Sequence, residues 1–303
     1  MAATDAVQAA AEVLGARARA DEPIGALTTY RVGGRAALFT VADSEDDLRV
    51  VASAFQAGDV PVLVIGRGSN LLVADGGFPG LAVAMGEGLG FIDVRGTTVR
   101  AGAATSLPVL ARRTAGAGLT GLEWAVGVPG SVGGAVRMNA GGHGADTAAT
   151  LIRFSFVDLK GGPDGEFGAE RLDFAYRRST VEPHHAVVWA EHQLRRGDVA
   201  ESEAEIAEIV RWRRQNQPGG QNAGSVFTNP PGDSAGRVID AAGLKGLRIG
   251  TAHVSEKHAN FIQADDGGSA DDVRALMDEV VRLVEDRMGI TLHPEVRMVG
   301  FSE

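Results

Sequence analysis

At 303 residues the chain has room for two or three compact domains, and its 29 basic against 39 acidic side chains leave a net charge of −10. That acidity argues against nucleic acid or an anionic membrane as the main partner, and the absence of cysteine excludes disulfides, thiolate metal sites, iron–sulfur clusters and cysteine nucleophiles. Hydrophobic residues at 44% and charged residues at 22% are those of an ordinary globular chain, but the 42 glycines are about twice the usual share and point to many turns and close backbone approaches.

Residues 1–20 read as a short Ala-rich helix, weakly anchored through Val7, Ala10, Ala11 and Leu14. Asp5 and Glu12 stand where a secretory signal would need positive charge and an apolar block, so a cytoplasmic protein is expected. A polar turn over Thr28–Gly34 feeds a strand at Ala36–Val41. Ser44, with Asp47 three residues on, caps a helix that buries Leu48, Val51 and Phe55 and ends at Gly58. Pro61–Ile65 is a short apolar strand of the kind buried on both faces, so residues 35–66 make one β-α-β unit. From Leu81 the texture changes to short strands at Leu81–Ala84, Thr98–Ala101, Ile152–Asp158 and Ala186–Ala190, with one helix near Leu107–Ala117. Ser202 and Glu205 form the capping box of a helix with Ile206, Ile209 and Val210 inside, and the polar run 215–220 after it is a good boundary. The last helix starts at Ser269 with Asp272 as its box partner, buries Val273, Leu276, Val280, Leu283 and Val284, and stops at Gly289. A strand over Val296–Val299 closes the chain. The longest weakly polar stretch, Trp124–Gly142, is interrupted by Pro129 and Arg137 and does not read as a membrane span.

Two glycine runs carry the candidate chemistry. Gly66-Arg67-Gly68-Ser69-Asn70 follows a buried strand, where bare backbone N–H groups can approach a diphosphate with Ser69 and Asn70 adding donors. It is not the dinucleotide fingerprint, since Leu71–Val73 reads as strand rather than helix, and a plain tight turn is the competing reading. The second run, Gly121–Gly144, has too little side-chain bulk to build a core of its own. The apolar spacing of Val126, Val128, Val132 and Val136 argues against a floppy linker and for a large ligand packed on bare main chain.

Together with Thr29-Tyr30-Arg31-Val32-Gly33-Gly34, these runs resemble the FAD-binding fold of the vanillyl-alcohol oxidase and para-cresol methylhydroxylase type. More narrowly they resemble the UDP-N-acetylenolpyruvoylglucosamine reductase family. The likeness continues in order through Phe174-Ala175-Tyr176-Arg177-Arg178-Ser179, Ala223–Pro230, Ala241–Gly246, Val254–Ile262 and His293–Arg297, and so spans residues 23 to 300. It implies an α+β chain. An N-terminal helical segment (1–20) precedes two FAD-binding lobes (21–80 and 81–199), and a C-terminal α+β substrate-binding domain with a terminal strand follows (200–303).

The resemblance implies non-covalently bound FAD, NADPH as reductant and UDP-N-acetylglucosamine enolpyruvate as substrate. Arg177, Ser225 and Glu295 match the family's catalytic set: a carboxylate grip, a proton donor and a glutamate that must be protonated or paired when negative charge develops. Ile65, Gly66, Arg67, Gly68, Ser69, Asn70, Val128, Pro129, Gly134, Arg137, Asn139, Gly141 and Val188 match its flavin positions, while Tyr176, Asn229 and Lys257 fall to the substrate. His143 stands where some relatives place an aromatic residue. Only 48 positions separate Arg177 from Ser225, and no tyrosine follows Tyr176, as in the short branch that lacks a tyrosine-bearing loop insertion. Thr228 replaces a basic residue that many relatives carry. His184, His185 and His192 show no ligand spacing on a common face, so no metal site is expected, and nothing demands more than a monomer. An oxidase of the same flavin superfamily and a non-catalytic nucleotide-binding module are the competing readings.

Overall fold

The computed structural model describes residues 3–301, so residues 1, 2, 302 and 303, at the outer limits of the first and last expected segments, lie outside it. The chain divides into two compact units. One comprises residues 1–21, 37–67 and 79–212, the other residues 22–36, 68–78 and 213–303.

In the first unit, α1 (Ala3–Leu14) lies on α2 (Glu45–Gly58), and Ala10 and Leu14 are buried with Leu48 and Val51. A Cβ at Gly58 would stand 2.2 Å from the carbonyl oxygen of Ala6, so glycine there is what lets the two helices touch. The N-terminal helix is therefore firmly docked, not weakly anchored. Ser44 caps α2 by accepting from the Asp47 N–H at 3.1 Å, but the left-handed end of the helix is Asp59 (φ 48°), one residue beyond Gly58. Strands β1 (Arg19–Glu22), β2 (Ala36–Ala42), β3 (Val62–Ile65), β4 (Leu71–Val73) and β5 (Phe78–Met85) follow, four of them forming a sheet in the order β1-β2-β5-β3. β5 thus inserts between the two strands of the expected β-α-β unit and pairs in parallel with β3, Ile65 opposite Ala84. This leaves β3 at an edge, half covered rather than buried on both faces, and places Leu81–Ala84 with the first sheet instead of the second lobe.

A second, antiparallel sheet combines β6 (Ile92–Arg95) and β7 (Thr98–Gly102) with three later strands. Before these come the short β8 (Leu119–Thr120), β9 (Gly141–Gly142) and β10 (Ala145–Asp146), and then β11 (Leu151–Asp158), β12 (Gly165–Gly168) and β13 (His185–Gln193). The order is β12-β11-β13-β7-β6. Because successive strand residues point to opposite faces, β11 and β13 feed two cores. Phe154, Phe156, Val187 and Ala190 pack with α3 (Leu107–Gly116), α4 (Val132–Met138) and α5 (Val199–Asn216), whereas Val157, Val188 and Trp189 pack with α1 and α2.

Helix α5 starts three residues before the expected capping box. Asp198 caps it, accepting from the Glu201 N–H at 3.0 Å, which leaves Ser202 inside the helix and buried. The Ser202 hydroxyl donates instead to Glu123 Oε1 at 2.6 Å, and Glu123 Oε2 accepts from the Gly121 N–H at 2.7 Å. Burial alone would raise the Glu123 carboxyl. The bonds from Ser202 and Gly121, with its own N–H and Thr120, outweigh that and hold it below its ordinary value. Since Ile206 and Ile209 are also buried in this unit, the unit boundary falls within α5 after Trp212, close to the polar run 215–220 and well past residue 200.

The second unit carries α6 (Ala235–Ala241), the antiparallel β15 (Arg248–Ile249), β16 (Ala252–Val254) and β17 (Ile262–Ala264), the long α7 (Ala270–Met288) and β18 (Arg297–Val299), which pairs in parallel with β4. The two-residue β14 (Arg195–Arg196) belongs to the first unit, pairing with β8. Tyr30, Val32 and Leu72 join Val226, Phe227, Val238, Val254, Ile262, Leu276 and Val280 in one core. Asp75 explains why residues 68–78 go with the C-terminal third. Its carboxylate accepts from the Ala270 and Asp271 N–H groups at 2.9 and 3.2 Å and from the Ser269 hydroxyl, supplementing the Ser269 cap at the positive end of α7. The single lobe expected over 21–80 is therefore shared between both units. No helix among the described residues is long and apolar enough to cross a membrane.

Candidate flavin and catalytic site

In the first unit Gly66, which opens the first glycine run, meets the second run. A Cβ on Gly66 would stand 2.4 Å from Ser131 Oγ, so the turn after β3 rests against the start of α4. Ser131, itself only 3% exposed, caps α4 by accepting from the Gly134 N–H at 3.4 Å. Backbone bonds from Leu107 N–H to Gly130 O, Val132 N–H to Thr105 O and Gly133 N–H to Ala103 O clamp this loop to the neighbouring chain. A Cβ on Gly133 would come within 2.9 Å of the Ala103 Cβ, which accounts for that glycine by close packing. Gly134 is different: it is exposed, and an added Cβ would meet nothing nearer than Ser131 Oγ at 3.5 Å.

The turn itself suits an anion. The N–H groups of Arg67, Gly68 and Ser69 donate to no described residue, and Gly66 and Arg67 are exposed. In the first unit, with Gly66 and Arg67, stand exposed Gly134 and Pro129 and half-buried Val128. Unspent N–H groups in the turn and bare, apolar main chain in this unit are each of the kind a flavin dinucleotide needs, so the residues present fit FAD. Several expected flavin residues are engaged within the fold, Ile65 among them, buried in β3 with its backbone paired to Ala84. Val188 is in the core, its carbonyl accepting from the Ala103 N–H at 2.9 Å. Asn70, in the second unit, donates from Nδ2 to the Glu295 carbonyl at 3.1 Å.

Arg137, Asn139 and Gly141 surround Arg177. Asn139 sits left-handed at the C-terminus of α4 (φ 41°) and donates to the Ala175 carbonyl and to Asp146 Oδ2, both at 3.1 Å. The Arg137 carbonyl accepts from the Ser179 hydroxyl at 2.7 Å, and the Gly141 carbonyl accepts from Arg177 Nη2 at 2.8 Å. Residues 175–178 form a tight turn in which Arg177 is itself left-handed (φ 56°), a conformation that costs a non-glycine residue about 1 kcal/mol and persists because its surroundings hold it. Tyr176 is 59% exposed, with its ring centre 5.2 Å from the Arg177 guanidinium. His143 (φ 52°) stands edge-on to Trp212 with ring centres 5.3 Å apart.

In the second unit the structure brings Ser225 and Glu295 together. Val226 lies between them: its carbonyl accepts from the Glu295 N–H at 2.8 Å, and the Thr228 N–H donates to the His293 carbonyl at 2.9 Å. Ser225 is exposed on this short ribbon and follows left-handed Gly224 (φ 77°). Arg177 belongs to the first unit. Lys257, expected at the substrate, donates from its ammonium to the Arg214 carbonyl in the last turn of α5, where a cation complements the helix C-terminus. Asn229 Oδ1 accepts from the Ala235 N–H at 3.0 Å, at the first residue of α6.

The histidines depart from expectation. His184 and His185 converge with Asp158, all three ligand atoms lying within 4.8 Å of one another, because Asp158 on β11 is in register with His185 on β13. Yet His185 Nδ1 accepts from the Glu182 N–H at 3.1 Å, so the neutral ring carries its proton on Nε2, the nitrogen that faces Asp158. A nitrogen holding a proton offers no lone pair, and the trio is a polar cluster rather than a ligand set. Burial and the neighbouring His184 push His185 further toward its neutral form. His192 stands apart, fully buried against Thr150, and burial lowers it to about 4.

Comparison with known proteins settles the family. An FAD-binding domain description matches residues 36–162, and the description of the UDP-N-acetylenolpyruvoylglucosamine reductase C-terminal domain matches residues 215–299. The reductase of Rubrobacter xylanophilus is 43% identical over 93% of this chain and 95% of its own length. The chain belongs to the UDP-N-acetylenolpyruvoylglucosamine reductase family. It is an α+β flavoprotein oxidoreductase. The Paramagnetospirillum magneticum reductase is 44% identical over 92% of this chain and 91% of its own. The solved reductase from Thermus caldophilus superposes with a TM-score of 0.80 at 36% identity, covering 91% of this chain and 97% of that one. Sequence reasoning gave no role to Glu123 or Asn260, buried polar groups whose only sequence sign is a polar side chain between apolar neighbours, and it read Ser202 as a helix cap rather than as the partner of Glu123.

Proposed function

We propose that this chain reduces UDP-N-acetylglucosamine enolpyruvate to UDP-N-acetylmuramate for peptidoglycan synthesis, as a cytoplasmic monomer using NADPH. The observation that supports this reading is the backbone bond from the Glu295 N–H to the Val226 carbonyl, next in the chain to exposed Ser225. FAD, when bound, would supply the redox chemistry, the relay of a hydride from NADPH to the terminal carbon of the enol ether.

The chain's own residues then manage the charge that hydride addition leaves on the adjacent carbon and its carboxylate. Arg177 grips that carboxylate, and its bond to the Gly141 carbonyl fixes the guanidinium plane, the orientation on which a two-pronged contact depends. The grip strengthens as the carboxylate becomes enolate-like, so it favours the transition state over the ground state. Ser225 gives its proton to the carbanionic carbon and regains one from solvent. Glu295 is protonated or paired with a cation at that moment, since a free carboxylate would repel the developing charge. Backbone N–H groups of Arg67, Gly68 and Ser69 would serve the diphosphate of FAD, and Gly66, Val128, Pro129 and Gly134 would offer it bare or apolar main chain. Tyr176 and Asn229 contact the sugar nucleotide.

The test is anaerobic stopped-flow spectroscopy. Ser225→Ala should leave flavin reduction by NADPH within about twofold of the native rate and slow reoxidation by the enolpyruvyl substrate by about 100-fold or more, the usual worth of a positioned proton donor. Equal damage to both halves would remove Ser225 from that role. Rapid oxygen consumption with a sugar alcohol would favour an oxidase instead.

A further inference from the structure

The ribbon that carries Ser225 has two sides. Residues 293–295 line one of them; on the other stands Asn260, in the loop between β16 and β17. It is 3% exposed, and it pairs with the ribbon as a strand would. Its backbone carbonyl accepts from the Val226 N–H at 2.9 Å, its Oδ1 accepts from the Phe227 N–H at 2.9 Å, and its Nδ2 donates to the Phe227 carbonyl at 2.8 Å. The Asn260 N–H in turn donates to His258 Nδ1 at 3.3 Å, which ties the loop to itself.

Val226 is therefore held from both directions, by Asn260 through its N–H and by Glu295 through its carbonyl. Phe227 next to it is gripped by both ends of one carboxamide while its own side chain is buried. Ser225 lies immediately before this clamped pair and after left-handed Gly224, whose N–H donates to Asn222 Oδ1 at 3.0 Å. Residues 226 and 227 hold the chain on the C-terminal side of the hydroxyl. Only a planar group with a donor and an acceptor side by side closes this pairing: leucine or alanine would strand two buried backbone groups, and aspartate would set a carboxylate oxygen against the Phe227 carbonyl.

We propose that Asn260 is a positioning residue for the protonation step, holding the 226–227 ribbon in register so that Ser225 and Glu295 keep a fixed mutual geometry. The inference rests on the proton-donor reading of Ser225. It predicts that loosening the clamp harms proton delivery and leaves the flavin side of the cycle alone.

The experiment uses Asn260→Asp as the FAD-loaded full chain, in anaerobic stopped flow across pH 6 to 8.5. Flavin reduction by NADPH should stay within about twofold of native, while reoxidation by the enolpyruvyl sugar nucleotide falls by about 100-fold at pH 8, the scale of a misplaced reacting group. Burial raises the new carboxyl, so toward pH 6 it protonates, its O–H donates to the Phe227 carbonyl and the variant-to-native ratio recovers. The solvent deuterium isotope effect on reoxidation should rise above the native value at pH 8, because proton transfer then limits the step; a purely structural residue would not move it. Equal slowing of both halves, a flat ratio across pH or an unchanged isotope effect would overturn the proposal. Should Asn260→Asp fail to hold flavin, Asn260→Ser is measured in the same way, and loss of flavin from both variants assigns Asn260 to folding and also overturns it. Ser225→Ala run alongside separates the two readings. If it reoxidises normally the proton-donor role falls, and if it is impaired while Asn260→Asp is not, only the clamp falls.

Discussion

Gly66→Ala tests whether the two glycine runs form one flavin-binding surface. The new methyl carbon would stand 2.4 Å from Ser131 Oγ, about 1 Å inside ordinary contact, although it would be 3.6 Å from the Ser131 Cβ. The Ser131 hydroxyl must rotate away, which forfeits the α4 cap at about 1 kcal/mol and overpacks a buried site at about 1–3 kcal/mol. We expect a total of about 2–4 kcal/mol, part of it expressed as an FAD dissociation constant raised about 10-fold. The assay is fluorescence titration of apoprotein with FAD, combined with urea unfolding of the same samples. Ser131→Ala alone should cost about 1 kcal/mol, the cap only. In that background Gly66→Ala should cost nothing measurable, since the obstructing oxygen is gone and the glycine is not in a left-handed conformation. The two changes must therefore be strongly non-additive. Additivity within 0.5 kcal/mol, or an unaltered FAD affinity in Gly66→Ala, would refute the contact between the two runs as the basis of the site.

Ser202→Ala should destabilise the chain by about 1–2 kcal/mol in urea at pH 7, since a bond to a buried carboxylate is worth about 1.5–3 kcal/mol and alanine recovers some helix propensity. Because the folded Glu123 carboxyl is held below its ordinary value, its stabilisation is present at neutral pH and disappears as pH falls through its folded pKa; in Ser202→Ala that loss should begin at a higher pH, and an unshifted acid limb would contradict this. For His192 the folded value is about 4 against about 6.5 unfolded, so the unfolded chain takes up a proton first on acidification. Native protein should lose about 2 kcal/mol more than His192→Gln between pH 7.5 and 5, and parallel pH profiles would exclude a neutral, buried imidazole.

Local signals in this chain were legible wherever the cause was local. Ser44 and Ser269 cap their helices where a hydroxyl followed three residues later by an acid predicts it, and Gly289 ends α7 in the left-handed conformation that glycine accommodates. Ser202 shows the limit. The same pattern of serine and acid stands there, but the hydroxyl answers a carboxylate 79 residues earlier, and Asp198 takes the cap. Lys257 and Asn70 show it again, for each meets a carbonyl far along the chain, and no spacing rule reports such a partner.

By itself the sequence determined the fold class and the flavin, because ordered motifs and the shortage of side-chain bulk at the glycine runs are written in residue identities. The tertiary structure alone decided which strand lies between which, why residues 22–36 and 68–78 join the C-terminal unit, and how Ser225 is held beside Glu295. These depend on pairings between distant backbone groups. A buried N–H or carbonyl must find a partner somewhere, and only the folded chain settles where.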